Sequence, residues 1–290
     1  AAYGQVFYSL SIMMAIMITY GSFLKKDGNL VKDTGIIVVA DCFVSFLSGT
    51  AVFTTMGYMA TLSGGQFVVP SGPTLTFEIY PMVLHALPGG PVVVTVFSII
   101  FYLTLFTLAI DSAFSIVEAI STAVSDKFGI SKKKTRIGIC VAAGAVSLLF
   151  ATKGGIYWLD IVDTWANSLD ILLVGALECI TIGWFFGAKK VRREFNRTSK
   201  WKIGAWYDVM IRYICPSLFI VMLLTFIVDA LKKGYNGYPQ SSLLLGGWIV
   251  SLLVFGFGFV MQFGASRTKR VAEIEAGEPT WDTIDEENKE

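Results

Sequence analysis

The sequence predicts an all-α integral membrane protein, because its composition is too apolar for a soluble domain. Of 290 residues, 54% are hydrophobic and only 16% are charged, and the mean hydropathy is +0.64. Soluble domains carry about a quarter charged residues. Seven apolar segments have roughly the 20 residues that a helix needs to cross a bilayer: 4–24, 35–63, 91–128, 135–152, 161–187, 207–231 and 243–264.

These segments define a transmembrane domain over residues 1–264 and a charged tail over 265–290. The segment that begins at 91 is longer than one bilayer crossing, so we expect it to tilt or to project into the cytoplasm. The Gly- and Pro-rich stretch 64–90 has a helical-looking middle over 74–87 and predicts a structured outer loop. This loop contains His85, the only histidine, which we interpret as structural.

The first segment, 4–24, places hydroxyl groups where a membrane helix meets no water. Ser9 and Ser11 lie near its middle. Backbone groups in hydrocarbon must be satisfied internally, so polar side chains at this depth indicate a helix that breaks toward protein or water. The two ends of such a break expose amides and carbonyls that can bind a carboxylate and a cation, respectively. Alternatively, both serines bond back to carbonyls one turn earlier in an unbroken helix.

Positive charge predicts the orientation in the membrane. Twenty of the 23 Lys and Arg residues fall on one side of the segments, and only Lys153, Lys232 and Lys233 fall on the other. The positive-inside rule then puts the amino end outside and the tail in the cytoplasm of a multi-pass plasma-membrane protein. Because no targeting segment precedes the first crossing, we expect further helices of the same protein before it. The net charge of +1 argues against a nucleic-acid partner.

Acidic side chains at membrane depth are the strongest functional candidates. Asp41 lies one helical turn before Ser45, and Asp111 is followed directly by Ser112. Hard monovalent cations prefer oxygen ligands from carboxylates, hydroxyls and carbonyls. The Leu108 carbonyl with Asp111 and Ser112 offers three such oxygens within one turn, and Ser9 with Asp41 offers others. Nothing in the sequence resembles a metal cluster or a nucleophile–base pair, so we do not expect an enzyme.

Four stretches carry a resemblance to a known family. GQVFYSLSIMMAIMITYGSF, ADCFVSFLSGTAVF, SGPTLTFEIYP and FTLAIDSAFSIVEA occur in that order and resemble the neurotransmitter:sodium symporter family. The resemblance extends to about residue 264. It implies a LeuT-like inverted-repeat transporter fold, with this chain as the second repeat plus two extra helices. It also implies a sodium-coupled importer of an amino acid or related amine that works by alternating access.

The resemblance implies roles for particular residues. It assigns five groups: substrate contacts at Tyr8, Ser9, Ser11, Met14, Ser112 and Ile116; a first Na⁺ site at Ser9 and Asp41; a second Na⁺ site at Leu108, Asp111 and Ser112; a chloride-like site at Gln5, Ser9 and Ser45; and gates at Tyr8, Asp126 and Asp163. The remaining ligands of these sites would come from the preceding helices.

Asp41 departs from the family pattern, which commonly has asparagine there. A carboxylate beside Na⁺ neutralises its charge and would repel a second anion, so we expect transport to be chloride-independent, with chloride coupling as the alternative. Met14 and Ile116 favour a hydrophobic amino acid as substrate. A seven-helix receptor without ion coupling is the alternative function, but it does not explain the intramembrane acids near a serine-containing break.

Overall fold

The structure is a computed structural model that describes residues 6, 9–24, 28–62, 76–77, 80–85 and 89–263, and these contain helices and turns but no strand. The first five helices are α1 Ile16–Ser22, α2 Leu30–Leu62, α3 Tyr80–His85, α4 Gly90–Phe128 and α5 Lys132–Phe150. The rest of the chain forms α6 Gly155–Trp165, α7 Ile171–Ile180, α8 Ala188–Thr198, α9 Trp206–Val209, α10 Cys215–Lys233, α11 Gln240–Leu243 and α12 Val250–Phe263. Five-to-seven-residue π-helical turns join α6 to α7, α7 to α8, α9 to α10 and α11 to α12.

Five helical stretches in the described residues are long and apolar enough to cross a membrane: Leu30–Tyr58, Gly90–Phe128, Gly155–Arg197, Trp206–Lys233 and Gln240–Phe263. Of the other two predicted crossings, the first is interrupted and α5 is a 19-residue helix that begins with three lysines. Helix α4 has 39 residues, or roughly 58 Å at 1.5 Å per residue, which exceeds a hydrocarbon core of about 30 Å. The helix is therefore longer than one bilayer crossing, as the sequence analysis expected, and its tilt or its projection into the cytoplasm stays a prediction.

Buried side chains in the described part concentrate where α6, α7, α10 and α11 meet. One cluster contains Leu172, Ala176, Cys179 and Phe219, and a second contains Ile161, Trp165, Leu169, Ala230 and Leu243. Glycine lets the helices of the second cluster approach closely, since a Cβ on Gly247 would lie 2.5 Å from the Trp165 ring. Small residues at helix contacts are typical of membrane proteins, whose helices associate through van der Waals packing.

One end of the bundle is tied together by polar contacts around the basic helix α8. This helix leaves the α7 axis at Gly187, whose φ of 96° suits glycine. Arg192 then pairs with Asp208 at 3.0 Å. The amide of Val31 donates to the hydroxyl of Ser199 at 3.2 Å, which fixes the start of α2 beside the segment after α8.

Helices α3 and α4 are also in contact, through their aromatic side chains. The rings of Tyr80 and Phe101 lie 4.8 Å apart. Helix α3 falls inside the predicted outer loop, within the stretch that has the helical-looking sequence. Most of that loop, and the tail from 264 onward, lie outside the described residues.

Candidate functional site

The first apolar segment is broken, which agrees with the first of the two interpretations of its serines. The amide of Leu10 donates to Val6 O at 3.1 Å, and the amide of Thr19 donates to Ala15 O at 3.0 Å. Between them, Ser11, Met13 and Ala15 adopt φ of 51°, 66° and 59°. Left-handed conformation costs a non-glycine residue roughly 1–2 kcal/mol. Strain of this kind gathers at binding sites and switch regions and persists only where the surrounding structure holds it.

Packing against the buried core holds the break in place. Ile12 and Met13 lie against the cluster of Leu172, Ala176, Cys179 and Phe219. The Met13 thioether occupies the space in which a Cβ on Gly175 would stand, since that Cβ would lie 2.4 Å from Met13 Sδ. Gly175 of α7 therefore leaves a space, here called the socket, that the Met13 side chain of the interrupted segment fills.

The break meets α2 through a hydroxyl and a carboxylate. Ser9 donates its hydroxyl to Asp41 Oδ2 at 2.9 Å. Asp41 is half-buried in the middle of α2, and a carboxylate at this depth needs a partner. Two of the oxygens that the sequence analysis assigned to the first Na⁺ site thus lie within hydrogen-bond distance, although 32 positions separate the two residues. Their donor set, one hydroxyl and one carboxylate, suits a hard cation.

The segment also meets α4, next to the residues assigned to the second Na⁺ site. Leu108, Asp111 and Ser112 are exposed on one turn of α4. One turn later, Ser115 bonds back to Asp111 O at 3.1 Å and contacts the Tyr20 hydroxyl at 2.7 Å. Helix α1, which follows the break, is thereby joined to the turn that carries these three residues.

The other assigned residues are described only in part. Ser11 and Met14 are half-buried in the broken stretch, and Ile116 is exposed on α4, four positions after Ser112. Ser45 is exposed on α2 one turn after Asp41. Gln5 and Tyr8, assigned to the chloride-like site, the substrate pocket and a gate, lie outside the described residues.

Both gate acids are exposed in the described part. Asp163 on α6 receives the side-chain amide of Asn167 at 2.9 Å, both at its Oδ1 and at its backbone oxygen. Asp126 lies in the last turn of α4, where the chain turns at Gly129 toward the lysines of α5. These positions leave the gate roles as predictions.

Sequence reasoning missed Asp160, one turn before Asp163 on α6. Its carboxylate accepts hydrogen bonds from Tyr235 at 3.2 Å, Asn236 at 3.2 Å and Tyr238 at 2.9 Å. Burial and the bond to Asp160 raise the pKa of the Tyr238 hydroxyl to about 12. The only available signal was the run Tyr-Asn-Gly-Tyr between two apolar segments, and it gives no hint of a partner 75 positions away.

Several helices long enough to cross a bilayer, a strained break at a hydroxyl-bearing segment and a carboxylate paired with that segment are features of the broken-helix class of membrane transporters. Residues 1–265 match the profile of the sodium:neurotransmitter symporter family. The chain belongs to this family. Its fold is therefore the all-α, LeuT-like transporter fold that the sequence analysis expected.

Individual relatives agree with this assignment. The chain is 34% identical over 254 residues to an uncharacterized sodium-dependent transporter of Methanocaldococcus jannaschii, with 87% of this chain and 51% of the relative covered. It is 31% identical to the human sodium- and chloride-dependent neutral and basic amino acid transporter B(0+), with 83% and 39% covered. It is 28% identical to the Xenopus laevis sodium- and chloride-dependent glycine transporter 1, with 84% and 40% covered.

The chain thus spans about half the length of the archaeal relative and about two fifths of the animal relatives. The members of this family are multi-pass, sodium-dependent membrane transporters and not enzymes, which agrees with the class that the sequence analysis expected. Family membership also excludes the alternative of a seven-helix receptor, because that receptor was expected to have no ion coupling.

Proposed function

We propose that this chain forms part of a sodium-coupled symporter that imports a small hydrophobic amino acid by alternating access. The contact between Ser9 and Asp41 at the helix break carries the proposal, with its oxygens 2.9 Å apart. A cation bound beside these two oxygens would gain one negative ligand and one neutral ligand once the Ser9 hydroxyl turns its proton away from Asp41. The sodium-dependent relatives support the same ion.

We propose two Na⁺ sites, with the residues that the family resemblance assigns to them. Ser9 and Asp41 contribute to the first, and Asp111, Ser112 and the Leu108 carbonyl contribute to the second. Neither group supplies the five or six oxygens that a hard cation collects. We propose that the remaining ligands come from amino-terminal helices of the same protein, which fits the share of the relatives that this chain covers.

We place the proposed substrate pocket between the broken segment and α4. Ser9, Ser11, Met14, Ser112 and Ile116 supply its hydroxyls and apolar walls, and Tyr8 would close it from one side. A thioether and a branched aliphatic chain adapt to apolar side chains of different shapes. The amino acid transport and glycine transport named for two relatives support an amino acid over an amine.

Asp41 also supports transport without chloride. A chloride ion held by Gln5, Ser9 and Ser45 would lie next to this carboxylate. Two unit charges about 4 Å apart repel by about 4 kcal/mol at an effective dielectric constant of 20. The carboxylate supplies the negative charge that chloride supplies elsewhere, so a bound anion has no favourable role.

The orientation follows from the basic residues, and we propose an outer amino end and a cytoplasmic tail in the plasma membrane. Cysteines introduced in turn at Lys232 and at Lys133 form a matched pair for an impermeant thiol reagent applied to intact cells. We expect labelling at position 232 only. Labelling at position 133 alone would reverse the proposed topology.

Uptake into proteoliposomes tests the transport activity. The full-length protein is reconstituted, a panel of labelled amino acids is added outside, and an inward Na⁺ gradient is compared with a K⁺ gradient of the same size. We expect accumulation of a small apolar amino acid with the Na⁺ gradient alone. Equal accumulation with both gradients would rule out sodium coupling, and accumulation of amines in place of amino acids would overturn the substrate class.

Replacement of chloride by gluconate tests the role of Asp41. Wild-type uptake should keep its rate, whereas Asp41→Asn should acquire a requirement for chloride because the fixed negative charge is gone. Asp33→Asn, an acid in the first turn of the same helix, is the matched control and should stay chloride-independent. A wild-type rate that collapses in gluconate would refute chloride independence.

A further inference from the structure

A short chain of hydrogen bonds connects α1 to the α4 turn that carries Asp111 and Ser112. The Tyr20 hydroxyl and Ser115 Oγ lie 2.7 Å apart, and Ser115 Oγ lies 3.1 Å from Asp111 O. A hydroxyl has one proton to donate, and the Asp111 carbonyl can only accept. Ser115 must therefore donate to Asp111 O and accept from Tyr20. The chain has one direction, from Tyr20 through Ser115 to the backbone at Asp111.

These hydrogen bonds end at the turn of α4 that carries the proposed ion ligands Asp111 and Ser112. A serine that bonds back four residues shares the carbonyl with the helix and loosens or bends that turn slightly. The carbonyl in question belongs to Asp111 itself, so the geometry of the Asp111 and Ser112 side chains depends on this turn. The Tyr20 hydroxyl polarises the serine and strengthens the bond it donates.

Tyr20 belongs to α1, the seven-residue helix that begins directly after the break at Ala15. Across the part of the chain that the structure describes, the Tyr20–Ser115 pair is the one side-chain hydrogen bond between α1 and α4. A movement of α1 relative to α4 must lengthen or break it.

We infer that Tyr20 is a positioning residue for the second sodium site, acting through Ser115 on the α4 turn that presents Asp111 and Ser112. This inference rests on the proposed sodium-coupled function. The bond exists in the arrangement described here and is lost when α1 separates from α4. A ligand shifts a conformational equilibrium by its differential affinity, so Na⁺ binding and the Tyr20 bond must favour the same state and support each other.

The test uses full-length protein and the Na⁺ concentration that gives half-maximal binding of a labelled apolar amino acid. Tyr20→Phe removes only the hydroxyl, and Ser115→Ala removes the relay. The free energy of one neutral hydrogen bond corresponds to a roughly 2- to 10-fold increase in the Na⁺ concentration that gives half-maximal binding. The double variant should show no more than the larger single effect, because both changes break the same chain. Ser115→Thr keeps a hydroxyl and should restore wild-type sodium dependence.

Matched controls separate positioning from general damage. Tyr58→Phe changes an exposed tyrosine of α2, and Ser147→Ala removes the same type of back-bond, to Ala143 O at 2.8 Å, in α5. Both should leave the sodium dependence unchanged. Substrate affinity at saturating Na⁺ should stay within twofold in every variant, which a merely structural role would not predict.

The outcomes distinguish this inference from the function on which it rests. Sodium-independent binding by the wild-type protein would overturn the proposed function. Sodium-dependent wild-type binding with an unchanged requirement in Tyr20→Phe would overturn the inference alone. Additive effects of Tyr20→Phe and Ser115→Ala, or a loss of thermal stability without a shift in sodium dependence, would also contradict it.

Discussion

Replacing Gly175 with alanine tests whether the core fixes the helix break. The new Cβ would lie 2.4 Å from Met13 Sδ and 2.5 Å from Met13 Cε, whereas carbon atoms in good contact stay about 3.5–4.0 Å apart. The methionine tip must therefore retreat by more than about 1 Å. Because a thioether side chain is flexible, we place the cost at the lower end of overpacking, ~1 kcal/mol.

The retreat should displace the strained stretch that carries the proposed pocket. A cost of ~1 kcal/mol corresponds to about a fivefold loss of substrate affinity at saturating Na⁺. Radioligand binding measures this loss directly. Met13→Ala vacates the socket, so the double variant Gly175→Ala/Met13→Ala should bind substrate as Met13→Ala does alone. Gly144→Ala in α5 is the control, because its Cβ meets nothing within 4 Å. It gains the same helix propensity without the clash and should leave the substrate affinity unchanged.

Two results would refute this reasoning. Unchanged substrate affinity in Gly175→Ala would mean that the socket does not constrain the break. Additive losses in the double variant would mean that alanine acts through something other than Met13, such as its 3.3 Å approach to Phe219. A fall in affinity for Gly144→Ala would show that the assay reports helix stiffness and not the contact.

Other predictions concern the rest of the bundle. Gly247→Ala puts a Cβ 2.5 Å from the rigid Trp165 ring and should lower the stability of the detergent-solubilised protein by about 1–3 kcal/mol. Gly256→Ala has open space around its Cβ in the same helical stretch, Gln240–Phe263, and should not. Equal stability of the two variants would contradict the packing. Asp160→Asn should lower the pKa of Tyr238 from about 12 toward the ordinary value near 10, because the charge that opposes the phenolate is gone; phenolate absorbance, with Tyr238→Phe subtracted, measures it. Since the pKa is raised on folding, the neutral phenol of Tyr238 stabilises the fold fully below about pH 10, and this stability is lost as the pH rises through about 12.

The sequence indicated the break because Ser9 and Ser11 suit a helix that turns toward protein or water, although serines that bond back to carbonyls in an unbroken helix were the alternative. It did not predict which residues take left-handed conformations, because Met13 and Ala15 are poor candidates for positive φ and adopt it only under tertiary constraint. The socket at Gly175 could not be predicted either, since it depends on how α7 approaches a segment more than 150 positions earlier. The local sequence pattern indicates which residues are polar and how deep in the membrane they lie, whereas these contacts depend on how the helices pack.

The candidate site shows the same division. Intramembrane depth marked Asp41 and Asp111, and the family resemblance paired Asp41 with Ser9 across 32 positions. The sequence did not indicate a site at Asp160, because its three partners lie in a short connection between α10 and α11. Tyr20 gave no signal at all, since a tyrosine near the end of an apolar segment is ordinary in a membrane protein.

The sodium dependence of substrate binding in Asp41→Ala tests the central claim most directly. The claim is that Ser9 and Asp41 hold a cation at the helix break. Loss of a charged ligand is worth about 1.5–3 kcal/mol, so the Na⁺ concentration for half-maximal binding should increase at least about tenfold, while Asp33→Ala on the same helix behaves as wild type. If Asp41→Ala and Asp33→Ala require the same Na⁺ concentration as the wild-type protein, Asp41 does not bind the coupling ion.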